Sequence, residues 1–250
     1  MNQKTKGLNS NQLKVIAILA MTLDHLISVI YPNYPTDWWI IGCHIIGRLT
    51  APIMWFFIAE GYHYTRNLKK YAMRLFAFAI ISHFAYNFAF GIPFIPFQTS
   101  VFNQTSVIWS LAWGLVALVI CDSTKLKQWQ KILFIIGIAL ITFCSDWSCI
   151  AVFAILQIAG NRGNFKKQMI GMLCCVAMYA IIYAIFIHPI YGVMQMFVAL
   201  TIPLLKSYNG ERGNFKAMKW IFYLYYPLHL VICGIIRVIL HGNMGVMIGG

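Results

Sequence analysis

Acidic residues are scarce in this chain: Asp and Glu together number 6 in 250 residues, and charged residues of both signs make up 10%. A soluble domain carries about 25% charged residues, so composition excludes a molecule whose whole surface faces water. There is no polar linker and no shift of composition along the length, which leaves one domain over 1–250. Metal-ligand spacing is also missing among the 7 cysteines (43, 121, 144, 149, 174, 175 and 233), and no metal is expected. Most of them fall in apolar runs and read as packing residues; Cys144 and Cys149 flank a short loop where a disulfide is a second, less favoured reading. A cleavable leader is not expected, because the segment from Lys14 to Tyr31 contains Asp24 and His25 and lacks a small-residue cleavage site.

What the chain has in abundance is apolar sequence, 60% of the total. Runs of about 20 apolar residues, each long enough to cross a bilayer core, recur from end to end. They predict an all-α, polytopic integral membrane protein with spans at 13–31, 41–62, 72–90, 105–121, 130–144, 147–160, 168–187, 189–205 and 217–240, the sixth and eighth being short for a span. With the N-terminus inside, 17 of the 19 Lys and Arg residues fall in inside segments and none in outside ones, which supports nine spans with the C-terminus outside. The formal net charge of +13 is thereby concentrated on one face, where it meets anionic lipid head groups. Nucleic acid is not an expected partner, because no extended basic surface exists beyond those loops. The expected location is the cytoplasmic membrane.

A short parallel repeat stands out. Arg162-Gly163-Asn164-Phe165-Lys166 recurs 50 residues later as Arg212-Gly213-Asn214-Phe215-Lys216, each time just before a long span. A basic turn used twice is the favoured reading; a phosphate-contacting loop is the sharper one.

An ionisable side chain near mid-bilayer costs about 2.5–3.5 kcal/mol on insertion scales and is a functional candidate by default. Here these are Asp24, His25, Arg48, His83, His229 and Arg237. At about 1.5 Å rise per residue, Asp24, His25, Arg48 and His229 can share one layer. Adjacent helical residues diverge by roughly 100°, so Asp24 is expected to pair with Arg48, leaving His25 to face a cavity. His44 and Arg48 share a face ahead of a kink at Pro52, and Tyr225, His229 and Cys233 form a stripe continued by Arg237. Trp38, Trp39 and Trp147 read as interfacial anchors.

Several blocks resemble the TraX family in order and spacing: Leu13 to Ile18 leading to Met21-Thr22-Leu23-Asp24-His25, then Ile46-Gly47-Arg48-Leu49-Thr50-Ala51-Pro52, Glu60-Gly61-Tyr62, Thr65-Arg66, Lys70-Tyr71, Arg74-Leu75, Ser145-Asp146-Trp147 and Tyr225-Tyr226-Pro227-Leu228-His229-Leu230. The resemblance spans almost the whole chain. It implies a membrane protein linked to N-terminal acetylation of pilin, distantly similar to polytopic acyltransferases that carry acyl groups from cytoplasmic acyl-CoA to an acceptor. An essential histidine in an early helix corresponds here to His25.

Together these readings predict an acetyl-CoA-dependent acyltransferase acting on a peptide N-terminal amine, a pilin-like subunit or a glycan. His25 suits the general base or acyl carrier, since its ordinary pKa is near 6.5. Arg48 or His229 would stabilise developing charge, and Asp24 would hold Arg48. Glu60, Arg66, Lys69, Lys70, Arg74, Arg162 and Arg212 are the expected CoA-binding set, and Asp146 and Tyr226 the expected acceptor-side residues. The competing reading is a small-molecule transporter or proton-coupled permease using Asp24, Arg48 and His229; a third is a non-catalytic scaffold.

Overall fold

The architecture comes from a computed structural model that describes residues 7–96, 98, 100–215 and 217–246. Of the residues used above, Lys4, Lys6, Lys216, the side chain of Lys219 and the last four positions lie outside the described residues.

Among the described residues every regular element is helical: α1 (Ser10–Ile30), α2 (Trp38–Gly47), α3 (Thr50–Tyr64), α4 (Leu68–Phe90), α5 (Val107–Asp122), α6 (Gln128–Thr142), α7 (Ile150–Gly160), α8 (Phe165–Phe186), α9 (Pro189–Met194), a 3₁₀ turn (Gln195–Leu200), α10 (Thr201–Lys206) and α11 (Met218–His241). Six stretches among the described residues are long and apolar enough to cross a membrane: Ser10–Ile30, Trp38–Tyr64, Leu68–Phe90, Phe165–Phe186, Pro189–Lys206 and Trp220–His241. The apolar helices Val107–Asp122, Gln128–Thr142 and Ile150–Gly160 are shorter, at 16, 15 and 11 residues. The expected eighth span is thus among the long ones at 18 residues, and the short ones are the fourth, fifth and sixth.

Burial is inverted relative to a soluble protein. Large apolar side chains such as Ile81 on α4, Leu133 on α6, Ile181 on α8 and Leu228 on α11 point outward, while Asp24, His25, His44, Arg48, Gln195 and His229 are buried. This is the pattern hydrocarbon solvent imposes, because polar groups must then be satisfied inside the bundle. Helix α11 lies against α4 and α1, α7 packs on α8, α5 and α3, and α6 rests chiefly on α5.

Local sequence explains the helix ends. Asn9 caps α1 in a reciprocal box with Gln12, its side chain accepting from the Gln12 N–H at 3.0 Å and the Gln12 side chain accepting from the Asn9 N–H at 2.9 Å. The repeated turn is a capping device in its first copy: Asn164 accepts from the Lys167 N–H at 3.0 Å, with Gly163 at φ 87°. In the second copy the Phe215 carbonyl accepts from Asn11 Nδ2 at 3.1 Å, so the turn is packed onto the start of α1. The chain just before that copy is stitched to the N-terminal residues by Leu8 N–H to Ser207 O and Ser10 N–H to Glu211 O, both 2.8 Å.

Between α2 and α3 the helix is interrupted, as Pro52 leads one to expect. Pro52 has no N–H to return to the Arg48 carbonyl, and the backbone there tightens to a Leu49 N–H to Ile46 O bond of 3.1 Å. Gly47 completes the device: a Cβ at this position would stand 2.4 Å from Asp24 Oδ1. Only glycine lets α1 approach the interruption so closely.

Candidate functional site

Asp24 sits where α1 meets that interruption. Its carboxylate accepts from Arg48 Nη2 at 2.9 Å (Oδ1) and 2.8 Å (Oδ2), and from His44 Nδ1 at 2.8 Å. The pairing expected from charge balance is therefore present, with His44 added to it. Arg48 is 2% exposed. It also donates from Nε to the His44 carbonyl at 3.1 Å and from Nη1 to Gln195 Oε1 at 2.9 Å. Gln195 lies at the start of the 3₁₀ turn and is anchored to the Tyr191 carbonyl at 3.1 Å. These bonds leave Arg48 one Nη1 hydrogen uncommitted. Beneath its guanidinium, 5.6 Å away, lies the ring of Trp147.

His25 occupies the adjacent face of α1, and its Nδ1 is 2.8 Å from Nε2 of His229 on α11. The other nitrogen of His229, Nδ1, is 3.0 Å from the Tyr225 carbonyl oxygen. A carbonyl only accepts, so His229 carries its hydrogen on Nδ1 and presents a lone pair at Nε2. His25 must then donate from Nδ1, which leaves its own Nε2 unprotonated. Phe90 packs edge-on against His25 at 5.6 Å, and Thr22 ties α1 to Tyr225 by a 2.7 Å hydroxyl contact.

His25, Asp24 and Arg48 line a small chamber of about 30 Å³, together with Tyr86, Asp146 and Tyr226. Tyr86 is 1% exposed and its hydroxyl has no hydrogen-bond partner among the described residues. Asp146 arrives on the turn between α6 and α7. That turn is held by its N–H to the Thr105 carbonyl at 2.8 Å and contains two non-glycine residues in the left-handed region, Trp147 (φ 62°) and Ser148 (φ 50°). Such strain persists only where the surroundings enforce it. Here it turns Trp147 inward, against Trp55 at 5.1 Å and Tyr179 at 5.4 Å. Trp147 is thus a buried support for Arg48, not the interfacial anchor its sequence suggests, whereas Trp38 is exposed at the start of α2. Burial pushes the Asp146 carboxyl up to about 7, against the opposing pull of Arg48.

At the end of the bundle that carries the basic loops lies a larger cavity of about 520 Å³, within the range of small-molecule sites. Lys14, Arg74 and Arg212 line it with Tyr71, Tyr208 and Phe222, and Glu60 is the carboxylate in its wall. Arg162 reaches Glu60 at 3.5 Å and covers the Tyr64 ring at 5.2 Å. Of the expected CoA-binding set, the structure brings together Glu60, Arg74 and Arg212, with Arg162 beside them. Arg66 stands exposed on the α3–α4 turn and Lys69 and Lys70 stand exposed at the start of α4, and none of the three lines the cavity.

Other intramembrane ionisable groups act as braces. His83 bridges Thr105 Oγ1 at 2.9 Å and the Phe94 carbonyl at 2.7 Å, and Arg237 holds the Met244 carbonyl at 2.7 Å and the Phe88 carbonyl at 3.2 Å. All seven cysteines are free, Cys144 and Cys149 included.

Four site residues escape the sequence reading. Lys14 is indistinguishable from an ordinary topology signal, and Tyr86 is one of 13 tyrosines without a pattern. Met54 looks like core. Gln195 carries a usable signal, an uncharged polar residue inside an apolar run.

Comparison with known proteins bears on the chain as a whole. The chain is 31% identical over 228 residues to the probable fimbrial assembly protein FimC, serogroup H1, of Dichelobacter nodosus, covering 88% of this chain and 92% of that protein. No solved structure matches it. The family described as TraX protein matches residues 9–237, so the chain is a multi-pass membrane protein that belongs to the TraX family.

Proposed function

We propose that this protein is a membrane-embedded acyltransferase that moves an acetyl group from acyl-CoA to an amine or hydroxyl acceptor. The observation that carries the reading is the His25–His229–Tyr225 relay, which leaves an unprotonated His25 Nε2 in a buried chamber beside a paired arginine. A histidine fixed in that tautomer offers a base at Nε2, which has no hydrogen-bond partner among the described residues.

In the transfer, Nε2 of His25 takes the acceptor's proton as the acceptor attacks the thioester carbonyl carbon. The carbonyl electrons move onto oxygen, where the Tyr86 hydroxyl and the uncommitted Arg48 Nη1 hydrogen can donate to the oxyanion. Collapse breaks the carbon–sulfur bond, and the imidazolium returns the proton to the CoA sulfur. His229 has both ring nitrogens engaged, so its role here is to orient His25, not to stabilise charge directly. Lys14, Arg74 and Arg212 would receive the CoA phosphates, with Arg162 tethered by Glu60 at the rim. Asp146 and Tyr226 stand on the acceptor side of the chamber.

The alternation of basic loops favours nine crossings in the cytoplasmic membrane with this cavity facing the cytoplasm. The FimC relative, named for fimbrial assembly, points to the N-terminal amine of a pilus-type subunit as the acceptor. A transporter draws less support, since the Asp24–Arg48 pair is closed by His44 and Gln195 and the repeat serves as a capping and packing turn.

The test is transfer of isotopically labelled acetyl from acetyl-CoA to an unblocked peptide in inverted vesicles. Label should appear on the peptide amine in the wild type and vanish in His25→Ala. Equal labelling by both proteins would overturn the mechanism.

A further inference from the structure

The two cavities are lined by separate sets of residues with one exception, Met54 on α3, which belongs to both. One turn earlier α3 offers Ala51 to the chamber, and one turn later Phe57 and Ile58 face the larger cavity. On α5 the division falls between neighbours, Val107 lining the chamber and Ile108 the larger cavity. Met54 is 8% exposed, and its unbranched thioether can change rotamer without moving the backbone.

Size gives this partition a consequence. The chamber measures about 30 Å³, which favours a short acyl group over a long one. The neighbouring space of about 520 Å³ would accept far more.

Resting on the acyl-CoA reading above, we infer that Met54 is the gate through which the acyl-bearing arm reaches His25, and that with the chamber behind it Met54 restricts the donor to acetyl. Its side chain swings aside for a two-carbon acyl group. A longer chain would have to stay in the larger cavity, with its thioester short of His25 Nε2.

Bromoacyl-CoA probes test this without knowledge of the acceptor. When the arm reaches His25, Nε2 displaces bromide from the carbon beside the thioester carbonyl; a carbon–nitrogen bond forms, the carbon–bromine bond breaks, and peptide mass spectrometry reads the adduct. Wild-type protein should be labelled at His25 by bromoacetyl-CoA and, with each rate normalised to that of free imidazole, at least about 10-fold more slowly by 2-bromohexanoyl-CoA, a discrimination reachable by packing alone. Met54→Phe should lose the His25 adduct while still binding unacylated CoA, which shows that it is folded. Met54→Ala should gain the hexanoyl adduct, and this second variant keeps the question open to test if Met54→Phe does not fold. Wild-type protein that binds acetyl-CoA but gives the same adduct profile in all three forms would overturn the gate alone. Folded wild-type protein that binds no acyl-CoA would overturn the reading beneath it.

Discussion

His25 and His229 meet ring to ring, Nδ1 to Nε2 at 2.8 Å with the planes 6° apart, although 204 positions separate them in the chain. The contact makes His229 a positioning residue for His25. His229→Leu removes the acceptor of the Nδ1 hydrogen and frees His25 to change tautomer. The expected result is a fall of about 100-fold in kcat with KM for acetyl-CoA unchanged. His229→Gln, which returns a side-chain oxygen to that region, should recover much of the loss. A merely structural role would instead lower stability and leave kcat per folded molecule intact.

The Asp24–Arg48 pair predicts an asymmetric response in stability. Arg48→Met leaves a buried carboxylate with His44 as its remaining side-chain donor, and breaking a buried pair costs about 3–5 kcal/mol. Asp24→Leu combined with Arg48→Met removes both charges and should recover most of that cost while remaining inactive. Thermal melts in one detergent read both variants. A double variant less stable than either single one would show that the pair is not what holds α1 to the α2–α3 interruption.

Tyr86 carries a third prediction. A buried hydroxyl without a partner is costly, and this one lines the chamber with His25. Tyr86→Phe should lower kcat by about 100-fold, leave acetyl-CoA affinity unchanged and hold or raise the melting temperature. A drop in stability with kcat preserved would mean that the hydroxyl has a structural partner.

Asp146 makes stability depend on pH. Its carboxyl is raised from 3.8 to about 7 by burial, so the folded state favours the neutral acid. That contribution is complete below pH 3.8 and is lost as pH rises through about 7. The melting temperature of the wild type should therefore fall across this window, and Asp146→Asn should flatten the curve. Parallel curves for the two proteins would contradict the assignment.

The membrane class, the helical course and the Asp24–Arg48 pair were legible in the sequence because each follows from solvation: hydrocarbon demands apolar helices and paired charges. His25 stood out for the same reason. Its contact with His229 did not, since it depends on how α11 crosses α1. Trp147 was misread because aromatic residues near a span end suggest an interface, whereas its left-handed backbone turns the ring inward. The cations of the larger cavity were only half legible. Lys14 and Lys70 look alike as topology signals, and the difference lies in which helix face each occupies once α1 and α4 are packed.

If acyl-CoA binds, as proposed, in the cavity lined by Lys14, Arg74 and Arg212, calorimetric titration of acetyl-CoA into the purified protein in detergent should show one site. Its expected affinity is on the order of micromolar, weakened at least about 10-fold by Lys14→Ala/Arg74→Ala through loss of phosphate contacts, and unaffected by Lys69→Ala/Lys70→Ala at the exposed start of α4. No heat of binding with a protein shown to be folded, or a site sensitive to the α4 lysines and indifferent to the cavity cations, would rule this binding mode out.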